Sequence, residues 1–236
     1  MGTLINAIAI IVATLIGVVL KKGLPDKIQK SVMMALGLGL ITLSLGWFLK
    51  DFLIIGTDGS ISTHQELLVI LSLVIGAVFG EWIDIDLRLN RWAENIEVKY
   101  KLPPLAKGFI SATLIFCVGA MAIVGSIKDG ISGDYSTLVI KSLLDFVTAM
   151  ILASVLGIGV IFSAGSVLIY QGTIFLLARQ AQPLLTPDLI QSLSMVGNIL
   201  LIAIGLNFME IKKIKVANLL PALFIPIIYY AIISII

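Results

Sequence analysis

The chain has 236 residues, of which 59% are hydrophobic and only 13% are Asp, Glu, Lys or Arg. Soluble globular domains carry about 25% charged residues, so this composition excludes that class and predicts an integral membrane protein. A net charge of +2 gives no indication of a nucleic-acid partner. The single cysteine, Cys117, excludes a disulfide within one chain, and the single histidine, His64, argues against a His-rich metal site. We expect no cofactor.

Apolar runs long enough to cross a bilayer, which takes about 20 residues in a helix, recur along the whole chain. In order they are Thr3–Leu20, Val32–Leu49, Leu67–Ile85, Ala106–Ile127, Leu138–Phe162, the shorter Ser166–Ala178, Leu189–Met209 and Val216–Ile236. They predict an all-α, polytopic protein with about eight transmembrane helices.

The central stretch from Leu138 to Leu177 carries only two charged side chains, Lys141 and Asp145, and no polar loop divides it. Its midpoint, from Gly157 to Ser166, contains three glycines and two serines. Such a break survives in lipid only where protein or a water-filled cavity satisfies the freed backbone groups, as at the binding sites of secondary transporters. We predict a discontinuous helical hairpin over 157–166.

Lysine and arginine cluster in the first, third and seventh connections, which together hold twelve of the sixteen basic residues. With eight helices these connections all lie on one side of the membrane, as the positive-inside rule requires. A single crossing in the central stretch would break that parity. The charge pattern therefore supports the hairpin, and predicts a multi-pass protein with both termini outside.

A weak internal repeat links the two parts of the chain. Thr3-Leu4-Ile5 matches Thr113-Leu114-Ile115, and Lys30-Ser31 matches Lys141-Ser142, at offsets of 110 and 111 residues. Three helices in each copy would give the inverted repeat of many transporters. We treat residues 1–236 as a single membrane domain with repeat halves at 1–105 and 106–182, followed by helices seven and eight at 183–236.

More specific motifs follow one another from the fourth helix onward. They are Phe116-Cys117-Val118-Gly119-Ala120-Met121, Lys141-Ser142 with Asp145, Leu152-Ala153-Ser154, Leu156-Gly157-Ile158-Gly159-Val160, Phe162-Ser163-Ala164, Tyr170-Gln171-Gly172 and Asn218-Leu219-Leu220-Pro221-Ala222-Leu223. Over essentially its whole length the chain resembles the bacterial membrane family called domain of unknown function 554. Gly165 departs from the pattern of that family, in which a bulkier residue is expected at this position. The resemblance implies a bacterial inner-membrane protein, commonly described as a transport protein without an established substrate.

Asp145 is the main candidate for a substrate or ion site. An ionised carboxylate at the centre of a membrane helix costs about 2.5–3.5 kcal/mol on insertion scales, which an apolar residue would avoid. Lys141 lies four residues earlier on the same helical face, so a structural Lys–Asp pair near the outer interface is the alternative.

Other polar residues inside or beside the apolar runs are weaker candidates for the same site. They are Glu81, Asn6, Gln171, Ser154, Ser163 and Asn198. Glu81 equally fits the inner end of the third helix, and intramembrane amides more often hold helices together than bind ligands. Asp129 and Asp134 are weak candidates for a metal site, because Asp-Gly pairs and glycines are ordinary turn formers.

Three functions remain open on the sequence. The favoured one is a secondary transporter or permease for a small solute or ion, with Asp145 at or near the site. The next is a non-transporting membrane partner or regulatory subunit, and the least favoured is a membrane-embedded enzyme. We expect the protein not to be an enzyme. Small-xxx-small patterns such as Gly76 and Gly80 leave a homo-oligomer open.

Overall fold

The structure is a computed structural model that describes residues 1–21, 23–101, 104–181 and 186–233. Within these ranges the regular secondary structure is helical, apart from one short β-hairpin. The α-helices and strands in chain order are α1 (Gly2–Lys21), α2 (Asp26–Phe52), β1 (Leu53–Ile55), β2 (Ile61–Thr63), α3 (Glu66–Ile83), α4 (Ile85–Tyr100), α5 (Ala106–Val118), α6 (Ala120–Ser132), α7 (Ser136–Leu156), α8 (Ser163–Ala181), α9 (Pro187–Phe208) and α10 (Phe224–Ile233). Two 3₁₀ segments, Ile158–Phe162 and Val216–Leu223, precede α8 and α10.

The membrane-spanning character follows from the length and hydropathy of these elements. Within the described ranges, seven continuous helical segments are long and apolar enough to cross a membrane. The bent pair α5 and α6 makes an eighth when it is counted as one span. The prediction of an all-α membrane protein with about eight crossings is confirmed.

The helices gather into two compact units. The first unit comprises Met1–Leu36 and Leu87–Ala181, and the second comprises Gly37–Asp86 and Gln182–Ile236. Both units combine segments from distant parts of the chain. The inverted repeat, with halves at 1–105 and 106–182, stays a prediction.

Helices α1 and α7 run parallel in the first unit and approach each other through small residues. A Cβ on Gly2 would lie 2.7 Å from Leu138 Cδ1, and a Cβ on Gly17 would overlap the carbonyl oxygen of Met150. Only a residue without a side chain lets the two backbones come this close. The contact at both ends of α1 fixes its register along α7.

The hairpin predicted over 157–166 reverses the chain, but its break is shorter than predicted. Gly157 has φ +83°, which favours glycine, and it ends α7 before the 3₁₀ segment Ile158–Phe162. Helix α8 already begins at Ser163, so Gly165 and Ser166 are helical. The 3₁₀ segment takes up the reversal, and the serine-rich part of the motif continues as ordinary helix.

A second discontinuity lies where one unbroken crossing was predicted over Ala106–Ile127. The axes of α5 and α6 differ by 59° across the break at Gly119, which has an extended backbone. A break of this kind inside a membrane leaves the last carbonyl groups of α5 and the first N–H groups of α6 without intrahelical partners.

The second unit is held by similar close contacts between backbones. Gly37 of α2 and Gly205 of α9 face each other, since a Cβ on either would lie 2.7 Å from the carbonyl oxygen of the other. Gly76 and Gly80 of α3 pack against the 3₁₀ segment Val216–Leu223. The antiparallel hairpin of β1 and β2, with Ile54 opposite Ser62, was not predicted from the sequence.

We expect Gly17→Ala to destabilise the protein, because the added methyl group overlaps the Met150 carbonyl and separates α1 from α7. Overpacking of this kind costs about 1–3 kcal/mol. The measurement is the melting temperature of the detergent-purified protein. Gly46→Ala is the matched control, since no atom lies within 4 Å of a Cβ at that position. Equal melting temperatures for the two variants would contradict the close α1–α7 contact.

Candidate intramembrane binding site

An ion pair lies inside the first unit, on α7. The Lys141 ammonium contacts Asp145 Oδ2, and the two residues are only 5% and 7% exposed. Their spacing of four residues places both side chains on the same face of the helix. The charges therefore compensate each other without help from a second helix. Burial distinguishes the pair from the exposed i,i+4 pairs of soluble helices, which contribute little.

Asn6 of α1 supplies a further contact to the carboxylate. Its Nδ2 donates a hydrogen bond of 2.9 Å to Asp145 Oδ2, although the residues are 139 positions apart in the sequence. The close α1–α7 packing brings the short asparagine side chain within reach. Asn6 is fully buried, and its Oδ1 has no hydrogen-bond partner among the described residues.

Phe116, near the end of α5, lies beside the ammonium group. Lys141 Nζ is 5.8 Å from the centroid of the Phe116 ring, a distance at which the ring face attracts a cation. Phe116 is fully buried and lies three residues before the break at Gly119. The break in the α5–α6 span therefore lies close to the ion pair.

Gln171 of α8 lies level with the end of α5, where the break at Gly119 begins. Thr113 of α5 donates a hydrogen bond of 3.2 Å to Ser166 of α8, and Gly108 lies beside Gly159 and Val160, so α5 and α8 run parallel. Five residues further along each helix, about 7.5 Å, α5 reaches its last residue and α8 reaches Gln171. Gln171 is fully buried, and neither of its amide atoms has a hydrogen-bond partner in the described part of the chain.

Ser154 and Ser163 are buried but satisfied within their own segments. Ser154 Oγ donates to the Ile151 carbonyl and Ser163 Oγ to the Val160 carbonyl, each at 2.7 Å. Ser154 is nine residues from Asp145 along α7, about 13 Å. These two serines stabilise the region around the Gly157 reversal and do not contact the ion pair.

Glu81 and Asn198 belong to the second unit. Glu81 is exposed in the last turn of α3, and its Oε2 is 3.2 Å from Lys215 Nζ. This hydrogen bond from Lys215 to Glu81 raises the pKa of the lysine. Asn198 Nδ2 donates to Ser194 Oγ at 3.3 Å within α9. The Glu81 contact joins α3 to the segment that precedes Val216, whereas the Asn198 contact stays within α9.

Asp129 and Asp134, the candidates for a metal site, make separate contacts at the ends of helices. Asp129 Oδ2 accepts hydrogen bonds of 2.9 Å from the Gly2 N–H group and from the amino group of Met1. Asp134 Oδ1 accepts the Ser136 N–H group at 3.0 Å, and hydrogen bonding from Ser136 lowers the pKa of Asp134. Across the residues with a described position, no group of three or more His, Cys, Asp or Glu could hold a metal ion.

Thr3 and Phe116 join the candidate site although neither was singled out as a site residue in the sequence. Thr3 lies one turn from Asn6 on α1, is 8% exposed and has an unpartnered Oγ1. Both residues lie in segments that the sequence analysis quoted, Thr3-Leu4-Ile5 and Phe116-Cys117, but as parts of a repeat and of a family motif. Nothing in those patterns says which helices meet.

A groove of about 430 Å³ in the second unit has a different chemical character. Its lining is apolar and comes from α3, α9 and the segment that leads into α10. It contains no charged side chain and no amide, so it offers a polar solute nothing to bind.

Comparisons with known proteins agree with the membrane fold and leave the chemistry open. Residues 1–231 match the family described as "Protein of unknown function (DUF554)". The chain is 34% identical over 225 residues to the "Uncharacterized membrane protein YdfK" of Bacillus subtilis (strain 168), covering 95% of this chain and 93% of that protein. It is also 34% identical over 229 residues to the "Uncharacterized protein YqgA" of Escherichia coli (strain K12), covering 94% and 92%. No solved structure matches the chain. The chain belongs to the DUF554 family of membrane proteins.

Proposed function

We propose that this protein is a secondary transporter or permease that moves a small solute or ion across the bacterial inner membrane. The observation that carries the proposal is the buried Lys141–Asp145 pair, held by Asn6 inside membrane-spanning helices. Asp145 lies at or near the site. The proposal assigns no chemical reaction to the protein.

The cost of the ion pair is the first support for the proposal. Two charges removed from water repay their desolvation only with good geometry and further hydrogen bonds, and hydrophobic residues of similar volume are often at least as stable. Ionisable residues inside membrane segments are therefore rare and mark functional pathways by default. A chain that needed only packing at Lys141 and Asp145 would be better served by apolar side chains.

The broken α5–α6 span is the second support. Discontinuous helices in transporters free backbone groups at the depth where the solute binds. Here the break at Gly119 follows Phe116, whose ring lies beside the Lys141 ammonium. A charged pair, a buried amide and a helix break thus occur together in one unit.

Exchange of partners is the mechanism that these contacts allow. Asp145 Oδ2 accepts from both Lys141 and Asn6. A proton or solute that displaced Lys141 or Asn6 from Asp145 would release that side chain. Loss of the Asn6 contact would change the packing of α1 against α7. A transporter needs such a link between occupancy of the site and the arrangement of its helices.

We expect a ligand panel of ions and small metabolites to raise the melting temperature of the purified protein through at least one member. A ligand that binds only the folded state stabilises by an amount set by its concentration relative to its Kd, about 2.7 kcal/mol at one hundred times Kd. Asp145→Asn should abolish this shift, because the charge that organises the site is lost.

Asp134→Asn is the matched control for that experiment, because it makes the same chemical change at an exposed turn. It should keep the ligand-induced shift. A panel without a single stabilising ligand at several pH values, together with copurification of another membrane protein, would favour the partner-subunit function. A shift that survives Asp145→Asn would remove Asp145 from the site.

A double-mutant cycle separates a structural pair from a functional one. Lys141→Met and Asp145→Leu should each destabilise the protein by about 3–5 kcal/mol, because each removes one charge of the pair and leaves the other buried without its partner. The double variant should recover most of that loss and remain unable to bind the ligand. Recovery of both stability and ligand binding in the double variant would show that the pair serves packing alone.

A further inference from the structure

The first unit contains buried polar atoms that its own residues do not satisfy. Thr3 Oγ1, Asn6 Oδ1 and both amide atoms of Gln171 have no hydrogen-bond partner among the described residues. All three side chains are at most 8% exposed. Unpaired polar groups in a low-dielectric interior are costly, and native proteins keep few of them without a reason.

These groups lie in one layer of the first unit. Thr3 and Asn6 share a face of α1, and Asn6 contacts Asp145 directly. Gln171 lies level with the end of α5, where Phe116 contacts Lys141. Helix α1 packs against both α7 and α8, so the Asn6 and Gln171 helices are direct neighbours.

The net charge of this layer determines what it can bind. Lys141 and Asp145 neutralise each other, and the unsatisfied groups are a hydroxyl and two amides. An ion entering here would be a third, uncompensated charge in the membrane interior, which is expensive. The unsatisfied atoms include an amide donor, two amide acceptors and a hydroxyl that can do either. They complement a ligand that carries both donors and acceptors.

We infer that the substrate is a small neutral solute with both hydrogen-bond donors and acceptors, as urea and glycerol have, and that Gln171 binds it. The inference rests on the proposed transport function and narrows it from a solute or ion to an uncharged polar molecule. Asn6 then connects the substrate to the ion pair, because its Nδ2 donates to Asp145 while its Oδ1 has no hydrogen-bond partner among the described residues. Loss of Gln171 removes binding groups without changing the charge of the site.

The experiment uses the full-length protein in proteoliposomes, with urea, acetamide and glycerol as neutral probes and Na⁺, K⁺ and H⁺ as charged ones. Solute entry is followed by stopped-flow light scattering and ion entry by fluorescent indicators inside the vesicles. We expect at least one neutral probe to enter faster than into empty liposomes. Gln171→Met should lower that excess rate at least tenfold, and Gln191→Met, the same change at a half-buried position in α9, should leave it within twofold.

Thermal stability of the same variants provides the second readout. Gln171→Met should keep or raise the melting temperature in the absence of solute, because an unpaired buried amide is replaced by an apolar side chain of similar length. A lower melting temperature would identify Gln171 as a structural contact and overturn the inference.

The remaining outcomes distinguish the inference from the proposed function. Neutral flux that Gln171→Met leaves unchanged would overturn the role of Gln171 and leave transport standing. Flux of ions alone would overturn the neutral substrate class and also leave transport standing. Vesicles that pass neither neutral nor charged probes above the empty-liposome rate would overturn both.

Discussion

The contact between Asp145, Lys141 and Asn6 constrains the whole first unit. A carboxylate inside the membrane requires a cation and further donors within hydrogen-bond distance. Lys141 is supplied by the same helix, but Asn6 requires α1 to run alongside α7 at close range. Gly2 and Gly17 permit that approach at the two ends of α1. The polar contact therefore depends on the close packing that the two glycines allow.

The sequence predicted much of the fold because membrane spans have a length fixed by the bilayer. The predicted runs correspond to the spanning segments, including the short one after the central break. The reversal at Gly157 was also predictable, because glycine is the residue that most readily adopts the positive φ observed there. The exact length of the break was not, since Ser163 and Gly165 fit a helix once the 3₁₀ segment has turned the chain. The β-hairpin was missed because its three-residue strands carry too little pattern.

The candidate site was predictable only in part. Lys141 and Asp145 meet through local helix geometry, so their spacing was sufficient. The partner Asn6 lies 139 residues away, and no single-sequence pattern predicts which helices pack together. The break at Gly119 was not predicted from the sequence either, because one glycine in an apolar run is usually tolerated in a helix. Glu81 and Asn198 were also candidates in the sequence, and in the structure they contact Lys215 and Ser194 in the second unit.

Charge neutrality and unsatisfied hydrogen bonding together explain why this layer differs from ordinary helix packing. If the polar residues served only to hold the helices together, their hydrogen-bonding groups should all have partners within the protein. Ser154 and Ser163 have such partners in nearby backbone carbonyl groups. Asn6 is instead half satisfied, and Gln171 is not satisfied at all. Lys141 and Asp145 supply structure without net charge, while the amides supply unused hydrogen bonds. A neutral solute of the kind proposed would bind such a layer through hydrogen bonds alone, since it brings no charge that the ion pair would have to compensate.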